Sequence, residues 1–203
     1  MSSYVSTTVG STGAVSVEAT RRELNPRQAE TVEKLAQATR EELREVGYDG
    51  LTVRSVAGRA QVAPATAYTY FSSKNHLVAE VFWRRLSARP RPESAGGSAA
   101  DRVIAVLDDL VEFLGEEPEL AAASNPAMLG ADPDVRHLRV RFGLEVQQRL
   151  ADALGADADP HVLDTLLMLW SGALLQGGMG YATYEEMGKR MSAAVRLIMG
   201  GAR

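Results

Sequence analysis

The chain has 203 residues, 45% hydrophobic and 24% charged, with a formal net charge of −4. That is the composition of a soluble globular protein with length for one large or two small domains. No apolar run approaches the roughly 18 residues of a membrane span. Cysteine is absent, which excludes disulfides and thiolate chemistry and fits a reducing cytoplasm.

Residues 1–24 are rich in Ser, Thr and Gly and lack the basic start and apolar core of a signal peptide. They read as a disordered tail. Arg21 and Arg22 at its end, with Arg27 just beyond it, form either a basic arm able to reach a duplex or a solvated segment. Asn25, Pro26 and Gln28 supply the cap, first-turn proline and third-position Gln of a helix start. Val32, Leu35, Ala36, Thr39, Leu43 and Val46 then line one face as far as a stop at Gly47. Thr52 is an N-cap, and Val53, Val56, Ala57 and Ala60 give a short second helix. After a turn at Gln61 and Val62, Pro64 suits the first position of a third helix running to Phe71. Ser72 or Ser73 caps a fourth, with Leu77, Val78, Val81, Phe82 and Leu86 as its stripe.

Two short helices joined by a three- or four-residue turn are a helix-turn-helix, whose second helix can enter a DNA major groove. Around the inward Ala67, that helix exposes Ala65, Thr66, Tyr68, Thr69 and Tyr70. Hydroxyls and methyl groups of this kind can read base edges. Arg54 can reach a guanine edge or a phosphate. Lys74 adds an ammonium to the positive end of the fourth helix, which favours a phosphate. Phe71 reads as core, and Tyr68 partly so.

Residues 87–101 are rich in Pro, Gly, Ser and Ala and read as a linker. Helical periodicity continues beyond it, through Val103 to Leu114 and through Glu119 to Leu129. A long helix follows the Asp132 cap, and another runs from Asp159-Pro160 to about residue 181. The last spans Tyr184 to Met199. The expected architecture is all-α with about nine helices: a tail (1–24), a helix-turn-helix DNA-binding domain (25–88), a linker (89–100), and a ligand-binding and dimerisation domain (101–203). Residues 1–91 carry 13 Lys and Arg against 9 Asp and Glu, whereas residues 92–203 carry 9 against 17. Only the N-terminal part is therefore suited to approach a polyanion.

Over roughly residues 28–85 the chain resembles the TetR family of bacterial transcriptional regulators, whose N-terminal signature is matched through Thr52, Val56, Ala57, Ala60, Val62, Thr66, Tyr68, Tyr70, Phe71 and Lys74. Gln61 stands where the family usually has a turn glycine, Ala63 where it often has a capping Ser or Thr, and Ala67 where Leu is common. Gln61 is thus expected to adopt a left-handed conformation, and the lost cap to cost about 1 kcal/mol. The resemblance implies phosphate contacts from Thr52, Tyr70 and Lys74, and base contacts from Arg54, Ala65, Tyr68 and Thr69. It also implies a homodimer joined through the last two helices, with an effector held inside the C-terminal domain.

One recognition helix reads too few base pairs for specificity in a genome. Two on a dyad, about 34–36 Å apart, read a near-palindromic operator in double-stranded DNA. The stripe Met187, Met191, Val195 and Ile198 is the expected dimer contact. Leu107, Leu110, Phe113, Leu114, Met128, Phe142, Val146, Trp170, Leu174, Gln176 and Tyr181 are the expected lining for a small hydrophobic effector. No cofactor, metal or membrane partner is expected. His76, His137 and His161 lack metal-ligand spacing. Asp157, Asp159 and His161 lack the glycine and glutamate of a calcium loop. Ser171-Gly172 is no nucleophile elbow, and residues 176–180 (QGGMG) are no phosphate loop. Two alternatives stay open beside the effector-released repressor: a DNA-binding architectural protein without an effector, and a small helical enzyme for which no catalytic residues can be named.

Overall fold

The computed structural model describes residues 25–92, 96–156 and 159–201. The tail with Arg21 and Arg22, and Asp157 of the acidic loop, lie outside them. Among the described residues there are nine helices and no strand. They are α1 (Pro26–Gly50), α2 (Val53–Arg59), α3 (Pro64–Tyr70), α4 (Lys74–Ala88), α5 (Ala99–Glu116), α6 (Pro118–Leu129), α7 (Pro133–Leu154), α8 (Pro160–Gly178) and α9 (Tyr184–Gly201).

Local chemistry sets the helix starts. Asn25 and Gln28 form a reciprocal capping box, as do Thr52 and Ser55. Ser73, Asp132 and Asp159 each accept a backbone N–H at the starts of α4, α7 and α8. Proline occupies the first position of α1, α3, α6, α7 and α8. Gly47 breaks the helical path of α1 with φ 67°, so the chain leaves the α1 axis there. Val46, expected on the inner face, is turned to solvent.

Gln61 has φ 55°, the only positive φ of a non-glycine residue among those described. Ala63 gives α3 no side-chain cap. The expected departures at this turn are therefore present. A side chain in this conformation costs about 1–2 kcal/mol that glycine avoids. Gln61→Gly is expected to raise the unfolding free energy by about 1 kcal/mol. A higher urea midpoint at unchanged slope would show it; an unchanged or lower midpoint means that the turn carries no such strain.

Helix α4 is buried on two sides. Leu77, Val78, Val81, Phe82 and Leu86 belong to the main core, while Ala79 and Trp83 pack with Val135 and Leu138 of α7. The main core runs without a break from Val32 in α1 to Val195 in α9.

Charged side chains reinforce this junction. Arg149 of α7 is buried, ion-paired with Glu145 (2.9 Å) and Asp109 (3.3 Å). Its guanidinium also donates to the Leu86 and Arg89 carbonyls (3.3 and 3.1 Å), the end of α4. Arg89 pairs with Asp109, and Arg91 with Glu145 and Asp152. The start of the segment read as a linker is therefore pinned to α5 and α7.

Residues 176–180 end α8 and begin the turn to α9. A Cβ on Gly177 would meet the Met187 sulfur and one on Gly178 the Asn125 side-chain amide, so each of those side chains would have to move aside.

Candidate functional site

Helices α2 and α3 form the expected helix-turn-helix, held from below by Val53, Val56, Ala57, Ala67 and Phe71, all buried. On the opposite side, Thr52, Arg54, Ala65, Thr66, Tyr68 and Thr69 are exposed. Arg54 has no ion pair among the described residues, so its guanidinium is uncommitted. Arg59, five residues on, is committed, with Nε 2.6 Å from Glu42 of α1. Tyr68, expected partly in the core, is 53% exposed and presents its ring and hydroxyl outward. The Thr69 hydroxyl donates to the Ala65 carbonyl at 3.0 Å, leaving its oxygen lone pairs and methyl group facing out. The Thr52 hydroxyl accepts from Ser55 N at 2.9 Å.

Two of the named residues also have internal roles. Tyr70 is half-buried with its ring tilted against Phe71. Lys74 is half-buried, donates to the Tyr48 carbonyl at 3.0 Å and lies 4.2 Å from the centre of the Tyr48 ring. The Tyr48 hydroxyl in turn bonds Asn75. Lys74 thus fastens the segment after the Gly47 break to the start of α4, a role its sequence position does not disclose.

A second contact was also missed. The Ser72 hydroxyl donates to Asp134 at 2.5 Å, and Ser73 bonds Asp132. The first turn of α7 therefore grips the turn between α3 and α4. The rings of His76 and His137, far apart in sequence, meet here with centroids 6.3 Å apart. Burial pushes His76 below the usual imidazole range, although Glu80, Asp134 and Asp132 face it and act in the other direction. Its neutral Nδ1 can accept from Ser72 N at 3.3 Å. No cluster of three or more His, Cys, Asp or Glu able to hold a metal occurs among the described residues.

In the C-terminal helices, Leu107, Leu110, Phe113, Leu114, Val146 and Trp170 are buried in one apolar cluster, with Met128, Phe142 and Leu174 packed against it. The rings of Phe113 and Phe142 both meet Phe82 of α4. The Trp170 Nε1–H is buried without a hydrogen-bond partner. Two expected lining residues fall elsewhere. Tyr181 is 73% exposed because α8 ends at Gly178, before it. Gln176 is exposed and borders an open cleft of about 380 Å³ between α8 and α9.

The expected dimer stripe needs correction. Met187, Met191 and Val195 are buried within the chain, and Ile198 is packed against the same core. Helix α9 lies along α5, with Ser192 bonded to Asp108 and Gly188 facing Asp108 and Val111. Periodicity identified a buried face, but the chain buries that face itself. The large apolar side chains exposed on these helices are Met168, Leu175 and Leu197, with Met179 just after α8.

A helix-turn-helix with an uncommitted outer face, carried on a helical body, defines a DNA-binding transcriptional regulator. The family model described as bacterial regulatory proteins, tetR family, matches residues 35–81. An uncharacterized HTH-type transcriptional regulator of Mycobacterium bovis is 46% identical over 180 residues, covering 88% of this chain and 84% of the relative. The chain belongs to the TetR family. The HTH-type transcriptional repressor KstR of Mycolicibacterium smegmatis is 29% identical over 162 residues, covering 76% of this chain and 79% of the repressor. A TetR transcriptional regulator from Rhodococcus sp. RHA1 shares the fold at TM-score 0.70 and 23% identity, covering 87% of this chain and 99% of that one. Regulators of this family bind DNA operators, dimerise and are not enzymes. No described helix is long and apolar enough to cross a membrane.

Proposed function

We propose that this chain is a cytoplasmic repressor that binds a near-palindromic operator as a homodimer and leaves it when a small hydrophobic effector enters the C-terminal domain. The observation that carries the reading is the outer face of α2 and α3, where Arg54, Thr66, Tyr68 and Thr69 are exposed above a buried base of Ala67 and Phe71. In this reading Arg54, Ala65, Tyr68 and Thr69 meet bases, while Thr52, Tyr70 and Lys74 meet phosphates. Likeness to KstR supports repression. The effector's place is the apolar cluster around Trp170, whose orphaned N–H favours a ligand carrying an acceptor. The dimer forms through the outer faces of α8 and α9, where Met168, Leu175 and Leu197 would otherwise leave a large apolar patch in water.

The test starts by selecting bound duplexes from a random pool with the full chain. Arg54→Ala or Thr69→Ala is expected to cost about 1–3 kcal/mol on the selected site and to relax preference at particular positions. Lys74→Gln is expected to weaken operator and random DNA alike and to flatten the salt dependence by about one unit. A pool that yields no enriched sequence overturns the reading. A uniform loss across sequences for Arg54→Ala would place Arg54 on the phosphates instead.

A further inference from the structure

The cleft between α8 and α9 lies apart from the interior cluster around Trp170. It is lined by Met168, Leu169, Gly172, Ala173 and Gln176 of α8, by Ala182 of the connecting turn, and by Met187, Arg190 and Met191 of α9. Its floor is apolar, since Met187 and Met191 are buried. Thioether side chains adapt to ligands of irregular shape. The space above Gly172 is open, as no atom lies within 4 Å of where its Cβ would be. A volume near 380 Å³ falls at the small end of ligand sites.

The polar groups at the rim select the ligand. Arg190 is exposed and has no ion pair among the described residues. Of the neighbouring carboxylates, Glu185 pairs with Lys189 (2.6 Å), while Glu186 accepts from the Thr183 backbone N–H (2.9 Å) and acts on Arg190 through its charge without a direct ion pair. A guanidinium whose N–H groups make no direct ion pair, beside an apolar floor, fits a carboxylate attached to an apolar chain, because its paired N–H groups match the two oxygens. Gln176 adds an amide donor at the same opening.

In one copy the cleft opens to solvent past its exposed lining residues Met168, Gly172, Gln176 and Arg190. A ligand there would leave much of its chain wet, whereas small-molecule sites bury most of their ligand. The second copy supplies the missing wall, if the dimer forms on this face as proposed above. We propose that the α8–α9 cleft is a second effector site, completed by the partner subunit, for a medium-chain amphipathic monocarboxylate. Its occupancy favours the dimer geometry that closes over it.

Decanoate, decanol and acetate are the probes, titrated calorimetrically into the full-length chain, with the oligomeric state followed by sedimentation. Wild type is expected to bind decanoate about ten- to a hundredfold more tightly than decanol, and acetate not at all. Arg190→Gln should abolish the preference for decanoate over decanol. Ala173→Leu, at a half-buried lining position, should block both while leaving a dimer, and Trp170→Phe, in the interior cluster, should change neither. Absence of decanoate binding to a wild-type dimer would overturn the proposal, because the second copy's side chains then fill the cleft. Loss of binding in Trp170→Phe with retention in the other two would overturn it in favour of the interior cluster. Operator binding without any probe reports separately on the regulator reading, and a monomeric wild type would remove the dimer face itself.

Discussion

Met168→Glu combined with Leu197→Glu is expected to leave helicity and the melting temperature near wild type, to yield monomers, and to weaken operator binding by about 10²–10⁴-fold. The two side chains are 76% and 79% exposed in the single chain, so charging them disturbs little within one subunit. In an isologous contact each substitution occurs twice about the dyad, bringing like charges together and burying them. The large effect on DNA follows from the linkage of two half-site contacts, which multiplies their affinities without any new contact. Met191→Glu is the contrasting control. That residue is 1% exposed, and a charge there should unfold the chain. Sedimentation at micromolar concentration with a parallel gel-shift titration reads both results. A double variant that stays dimeric and binds the operator as wild type does would place the dyad on another face.

Arg149→Ala is expected to lower the unfolding free energy by about 3 kcal/mol, measured by urea denaturation. The side chain is nearly inaccessible, at 1% exposure, and satisfies two carboxylates and two carbonyls that water reaches poorly. Its removal leaves the Leu86 and Arg89 carbonyls without this donor. The loss sits at the low end for a broken buried pair because Arg89 still holds Asp109 and Arg91 still holds Glu145. Arg149→Lys should recover only a small part, since one ammonium cannot span four acceptors set around a planar fork. Full recovery by lysine would show that charge alone matters here.

What the sequence disclosed depended on how far apart the partners lie along the chain. Asn25 with Gln28, and Thr52 with Ser55, are three residues apart, and cap chemistry that local is written in residue type. The helix-turn-helix was legible for the same reason, since its core and its outer face alternate within 20 residues. Ser72 and Asp134 are separated by 62 positions, and nothing in either neighbourhood announces the pairing. Arg149 looks like any basic residue on an amphipathic helix until α4 and α5 close over it. For α9 the spacing of Met187, Met191 and Val195 marked the buried side correctly. It could not say whether α5 of the same chain or a second copy does the burying, because an apolar stripe has the same period in both cases. Tyr181 was misplaced by three residues of helix end, the part of an element that periodicity defines least well.

The two-sided burial of α4 has a mechanical consequence. With Leu77, Val81 and Leu86 locked into one cluster and Ala79 and Trp83 into another, α4 cannot spin about its axis without tearing one set loose. Tilting as a rigid rod keeps each set on its own face, provided the first turn of α7 moves with the Ser72–Ser73 end or releases it. Fifteen residues make a rod about 22 Å long. Pivoting about 10° at the Arg149 end therefore sweeps the Ser73 end through roughly 4 Å. Because α3 hangs from that end, the displacement exceeds the rise of about 3.4 Å between successive base pairs. A small angular change in the body would thus be enough to shift a reading head by one step along the groove.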